Sequence, residues 1–194
     1  MSRRSHFKSV RPVVAAVLGV AVLGLVVSLT PSVVGAPATL EATIADVARR
    51  WPHIGHVTPQ KLDRFMAARA VVLYDVRTPA EYAVSHLPGA ISVDPDMGSA
   101  AFLARYGHAV NGKTAVFYCA VGVRSSRLAA RVAQGLKARG AVAVDELAGG
   151  IFAWHGEARP LVDAKGHTDF VHPYDAAWGR LLARPQLART APRS

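Results

Sequence analysis

The sequence predicts an α/β domain, a parallel sheet with helices on both faces, and three observations carry that prediction. Strand-like and helix-like patterns alternate through the middle of the chain. Residues 71–75 and 114–118 read as strands covered on both faces, because Val71 to Tyr74 and Ala115 to Tyr118 are continuous apolar runs. Between residues 126 and 138, Leu128, Val132 and Leu136 recur every fourth position, while Arg127, Arg131 and Lys137 take the other sides.

Residues 39–53 read as an amphipathic helix leading in, helical over 40–51 with Ile44, Val47 and Trp51 on one side. Thr58 is placed to cap a second helix with Pro59 at its first position and Leu62, Phe65 and Met66 on its apolar face. The strand at 71–75 follows, then a brief helix at 79–84 and a short strand at 91–93. After the strand at 114–118 comes the helix of 126–138, which Gly140 stops. Residues 141–144 make one more strand, and Gly149 and Gly150 turn the chain toward Phe152 and Trp154. The extension 159–194 reads as irregular, with a disordered end from 184 and with Tyr174 and Trp178 as a packed lid or brace.

The N-terminus predicts export. Arg3, Arg4, Lys8 and Arg11 precede 17 residues without charge, Val13 to Leu29, and the small-residue stretch to Ala38 follows. This is the layout of an export signal. The apolar run is also at the short edge for a membrane-spanning helix, so residues 1–38 read as a signal or as an uncleaved inner-membrane anchor. Either places the remainder on the periplasmic or extracytoplasmic side. Without the four basic residues, nineteen remain against thirteen acids, a net of +6 spread over helix faces. No nucleic-acid module is present, and the domain is expected to be a monomer.

Cys119 is the only cysteine in the sequence, which rules out an intramolecular disulfide, a self-resolving peroxidase and a cysteine zinc site. The close histidine pairs, His53 with His56 and His167 with His172, lack a carboxylate at ligand spacing, so no metal and no cofactor are expected. Cys119 ends an apolar strand and opens a glycine-containing turn before a helix. Unpartnered first-turn amides and the helix dipole favour an anion there, first a thiolate and then an anionic substrate.

Four segments then line up in order: Asp75 to Arg77 with Glu81 and Tyr82; Ser85 to Ala90; Cys119, Gly122, Arg124 and Ser125; and Leu147 to Ile151 with Trp154. Together they resemble the rhodanese (sulfurtransferase) domain, over about residues 54–158. The resemblance implies a rhodanese-like α/β fold with a central five-stranded parallel sheet and helices on both faces, the cysteine loop lying where open α/β sheets bind ligands. It also implies a sulfane sulfur carried as a persulfide on Cys119, taken from thiosulfate, a polysulfide or a persulfide and passed to a thiol, cyanide or a protein. Ala120, Val121, Gly122, Val123, Arg124 and Ser125 would form the persulfide-binding loop, with their N–H groups as a nest. Related phosphatases place arginine six residues after the cysteine. Here Arg124 falls five after Cys119, which favours sulfur chemistry.

The supporting residues carry two readings each. Asp75 and Arg77 read as scaffolding rather than chemistry, Glu81 as a partner of Arg77 or a solvent-facing group, and His86 as a turn stabiliser. Arg124 either orients a sulfonate or ties the loop down. Ala120 and Val121 after the cysteine make the loop poor in charge, pointing away from thiosulfate toward persulfide, polysulfide or protein donors. The competing class is an exported binding or redox-sensing module without turnover.

Overall fold

The computed structural model describes residues 39–194. The expected signal or anchor at 1–38 lies outside the described residues. Among the described residues no helix is long and apolar enough to cross a membrane.

The chain runs α1 (Leu40–Arg50), β1 (Gly55–Val57), α2 (Pro59–Ala67), β2 (Val71–Asp75), α3 (Pro79–Val84), β3 (Ile91–Ser92), α4 (Ser99–Tyr106), β4 (Thr114–Tyr118), α5 (Val123–Lys137), β5 (Ala143–Leu147) and α6 (Gly150–Gly156). The five strands form one sheet in the order β1-β5-β4-β2-β3. Every pairing in it is parallel. Side-chain alternation divides the core in two. Ala115 and Phe117 of β4 face Phe102 of α4 and Leu128, Val132 and Leu136 of α5. Val116 and Tyr118 face Leu62, Leu147, Ile151 and Trp154 on the opposite side. All five residues of β4 are buried, which is why its sequence shows no polar alternation.

The helix starts follow local chemistry. Thr58 Oγ1 accepts the Lys61 N–H and Pro59 occupies the first position of α2. Thr78 and Glu81 form a reciprocal capping box on α3, again with proline in the first turn.

Four expectations shift. The helix expected to begin at Ser126 begins at Val123, because Gly122 at φ 107° turns the chain directly into it. The strand expected at 141–144 runs over 143–147, since Ala141 N–H caps α5 through Leu136 O and the buried Asp145 and Glu146 interrupt the apolar run. α4 and β1 were not expected. Phe102 is the only fully buried residue of α4, and β1 has three residues.

The extension 159–194, expected to be irregular with a disordered end, instead folds onto the domain. β6 (Leu161–Asp163) and β7 (Gly166–Thr168) form an antiparallel hairpin, and α7 (Ala176–Gly179) and a 3-10 turn at Pro185–Leu187 follow. Leu161, Val171 and Leu182 enter the core singly, so no period marks them in the sequence. Val171 exchanges backbone bonds with Leu187 and Arg189, and Arg193 makes a two-bond contact with Asp163 at 2.6 and 2.7 Å.

Candidate functional site

β4 ends at Tyr118, and its next residue, Cys119, sits at the carboxyl edge of the sheet beside the first turn of α5. The Gly122 N–H donates to Cys119 Sγ at 3.2 Å. Ser125 Oγ stands 3.6 Å from the sulfur and 2.9 Å from Gly122 O. With one proton to give, that hydroxyl can serve the carbonyl or the sulfur. Helical bonding in α5 starts with Ser126 N–H to Gly122 O, so the N–H groups of Val123, Arg124 and Ser125 lack intrahelical partners. The expected loop 120–125 is therefore a loop of Ala120, Val121 and Gly122 and a helical turn of Val123, Arg124 and Ser125. In the observed arrangement the Gly122 amide alone among these donates to the sulfur.

Two elements brace the loop from behind. Ile151 and Phe152 of α6 donate their N–H groups to Cys119 O and Ala120 O at 2.9 and 3.1 Å. This close approach needs Gly150, at φ 57°, where a Cβ would lie 2.5 Å from Ala120 O and closer still to Cys119 O. We expect Gly150→Ala to cost roughly 2–4 kcal/mol from backbone overlap and left-handed strain. The same variant should slow thiol alkylation at Cys119; an unchanged melting temperature would contradict the packing described. On the other side, a Cβ on Gly122 would lie 2.8 Å from Glu146 Oε2. Glu146 is buried, and burial raises its carboxyl while the hydrogen bond to His56 Nδ1 at 2.7 Å holds it back. α1 also belongs to this wall, with Val47 and Ile44 against the Gly122 and Gly149 positions. The sequence placed it only as a lead-in.

Arg124 is paired with Glu81 in this structure. Its Nη1 and Nη2 donate to Glu81 Oε2 and Oε1 at 2.8 and 2.7 Å, tying the first turn of α5 to α3. Glu81 was expected to pair with Arg77 or face solvent; its partners are Arg124 and Thr78. Burial opposes ionisation of Glu81, yet the Arg124 hydrogen bonds and charge bring its carboxyl down to about 2. Because the folded value lies below the ordinary 4.5, the pair stabilises fully above that value, and the contribution fades as pH falls toward about 2. The melting-temperature gap between wild type and Glu81→Gln should thus be widest at neutral pH and close on acidification. A gap independent of pH would contradict the pairing.

Asp75 and Arg77 are both buried and paired to each other. Arg77 Nε and Nη2 reach Asp75 Oδ1 and Oδ2 at 2.9 and 2.6 Å, and Nη2 also donates to Ser85 O at 2.6 Å. They hold the turn that delivers Leu87, whose N–H donates to Tyr118 Oη. Burial, followed by the nearby Asp75 charge, pushes the Tyr118 hydroxyl well up, keeping it neutral. His86 stacks on Tyr82 with ring centroids 3.7 Å apart, and its backbone bridges Val162. No hydrogen bond among the described residues joins His86 to Cys119. Among the described residues no cluster of three or more His, Cys, Asp or Glu could hold a metal ion.

Comparison with known proteins places this geometry. The family described as the rhodanese-like domain matches residues 58–157. An uncharacterized protein of Synechocystis sp. is 30% identical over 109 residues, 56% of this chain and 56% of that protein. The probable adenylyltransferase/sulfurtransferase MoeZ of Mycobacterium tuberculosis is 34% identical over 119 residues, 60% of this chain and 29% of that protein. The chain thus spans well under two thirds of either relative. The crystal structure of a thiosulfate sulfurtransferase from Pseudomonas aeruginosa is similar at 20% identity and TM-score 0.48, over 76% of this chain and 27% of that one. The sulfur-bearing loop, its Gly122 turn and the α6 brace all fall inside the matched segment, and the chain belongs to the rhodanese-like domain family.

Proposed function

We propose that the protein is a sulfurtransferase that carries a sulfane sulfur as a persulfide on Cys119. One observation carries the reading: Cys119 Sγ receives the Gly122 amide at the N-terminus of α5, inside a rhodanese-like domain. In the first half-reaction the thiolate attacks the outer sulfur of the donor. The new S–S bond to Cys119 forms as the donor's S–S bond breaks, and the electron pair leaves on the donor, as sulfite from thiosulfate or a thiolate from a persulfide. In the second, a thiol, cyanide or a protein thiolate takes the outer sulfur and returns Cys119 to the thiolate. The unpartnered N–H groups of Val123, Arg124 and Ser125, with the helix dipole, supply positive potential for the charge that develops on the outer sulfur.

The donor follows from charge. Among the described residues Arg124 is the one cation lining the cavity at Cys119, and it is engaged by both oxygens of Glu81. Ala120, Val121 and Val123 supply no charge. A persulfide or polysulfide fits this lining better than thiosulfate, whose sulfonate asks for a free cation. Thiocyanate formation from cyanide tests the reading, with thiosulfate, polysulfide and a small persulfide compared as donors. Turnover from persulfide and polysulfide exceeding that from thiosulfate is expected; no turnover from any donor would defeat the enzyme reading. A second reading, a binding or redox-sensing module, draws on the burial of Cys119, which is 1% exposed. The same assay separates the two.

The site of action we propose is the extracytoplasmic face. Support comes from residues 1–38 alone, their basic start and 17-residue apolar run. Fractionation of the producing cells with N-terminal sequencing tests this, and a cytoplasmic chain retaining Met1 would overturn it.

A further inference from the structure

The extension beyond residue 157 lies outside the family match, yet it lines the same cavity as Cys119. A cavity of about 110 Å³ borders Cys119, and Tyr174 and Trp178 form part of its wall. Its remaining lining is Ala120, Val121, Val123 and Arg124, so apart from the engaged guanidinium it is apolar. Space on this scale holds several water-sized groups and no more.

Specific contacts hold the Tyr174 ring and the helix start that carries Trp178 in place. The Arg124 guanidinium lies 4.7 Å from the centre of the Tyr174 ring, so one arginine ties together the cysteine turn, α3 and the extension. Tyr174 adopts φ 67°, a left-handed conformation that a large side chain keeps only when its surroundings impose it. Its N–H donates to His172 Nδ1 at 3.0 Å. The next residue, Asp175, caps α7 by accepting the N–H groups of Ala177 and Trp178, both at 2.8 Å. Tyr174 is 44% exposed, so its position is set by the ring–cation contact and this local turn rather than by core packing.

We propose that Tyr174 and Trp178 are specificity-determining residues that gate Cys119, admitting low-molecular-weight persulfides with a small apolar carrier and rejecting bulky ones. The substrate class rests on the sulfur-transfer reading; the gate does not. For such a donor, R–S–SH, the Cys119 thiolate takes the outer sulfur to give Cys119–S–SH, and the electron pair of the broken bond leaves on R–S⁻, which takes up a proton from the persulfide or from water. A narrow R group fits a cavity of about 110 Å³ walled by the two rings and Val123, whereas a branched or peptide-sized one exceeds it.

The test begins with the reduced full chain and no sulfur chemistry. Alkylation rates of Cys119 are measured with iodoacetamide and with a bulky N-aryl maleimide, for wild type, Tyr174→Ala, Trp178→Ala and Tyr174→Phe. The bulky-to-small rate ratio should rise about tenfold or more in each alanine variant, the scale at which pocket walls discriminate by size. Tyr174→Phe, which keeps a ring over Arg124, should retain the wild-type ratio. Melting temperatures accompany each rate, and Tyr174→Ala alone decides the matter if Trp178→Ala does not fold. An unchanged ratio in Tyr174→Ala overturns the gate. Persulfides of increasing carrier size then test the substrate class: kcat/KM should fall steeply with size in wild type and flatten in Tyr174→Ala. If the gate is present but no persulfide reacts, the substrate class is overturned together with the sulfur-transfer reading.

Discussion

Replacing Cys119 with serine should abolish sulfur loading and transfer while leaving the fold intact. The hydroxyl is a poor nucleophile near neutral pH and forms no persulfide, so the loss should be about 10³-fold or more, the scale seen when a covalent nucleophile is removed. Stability should hardly change. A serine oxygen takes the same place at the carboxyl end of β4, within reach of the Gly122 N–H and the Ser125 hydroxyl that now meet Sγ. Single-turnover transfer and thermal unfolding of the same preparation check both halves. Residual transfer in Cys119→Ser would place the sulfur elsewhere, and a large fall in melting temperature would make Cys119 a packing residue first.

Arg77→Ala should have the largest effect on stability. The side chains of Arg77 and Asp75 are both 0% exposed and meet through three hydrogen bonds. Truncating the arginine strands a buried carboxylate and removes the donor to Ser85 O, a change expected to cost about 3–5 kcal/mol. In a domain of this size that corresponds to a fall in melting temperature of roughly 10 °C. Replacing both residues with leucine should recover much of the loss, because it leaves no unpaired charge behind. Thermal unfolding decides it: a cost below about 1 kcal/mol for Arg77→Ala would mean that water reaches the pair.

The parts of the fold that showed in the sequence share a physical cause. β2 and β4 are central strands with both faces covered, so their apolar runs are unbroken. Thr58 with Pro59 and Thr78 with Pro79 mark helix starts because capping is local. β5 was displaced by two residues in the reading because Asp145 and Glu146 are polar yet buried. Glu146 is accommodated through its bond to His56, a partner 90 positions away that no local pattern announces.

Within the site, Cys119 and the Gly122 turn could be read because their chemistry is local to one strand end. The pairing of Asp75 with Arg77 is legible for the same reason, as the two are only two positions apart. The partnership of Arg124 with Glu81 was not, since it joins residues 43 apart. The folding of the extension is not legible because Leu161, Val171 and Leu182 anchor it one at a time, which leaves no 3.6 or 2.0 period to detect. Tyr174 and Trp178 read as a lid or brace in the sequence, and only the folded chain puts them in the wall of the cavity that borders Cys119.

The intact mass of the protein after brief exposure to a small persulfide, with peptide mapping, addresses the chemistry directly. Gain of a single sulfur atom, located on Cys119 and removed by cyanide, is the predicted result. A thiol that returns unmodified would contradict the proposed reaction at its first step.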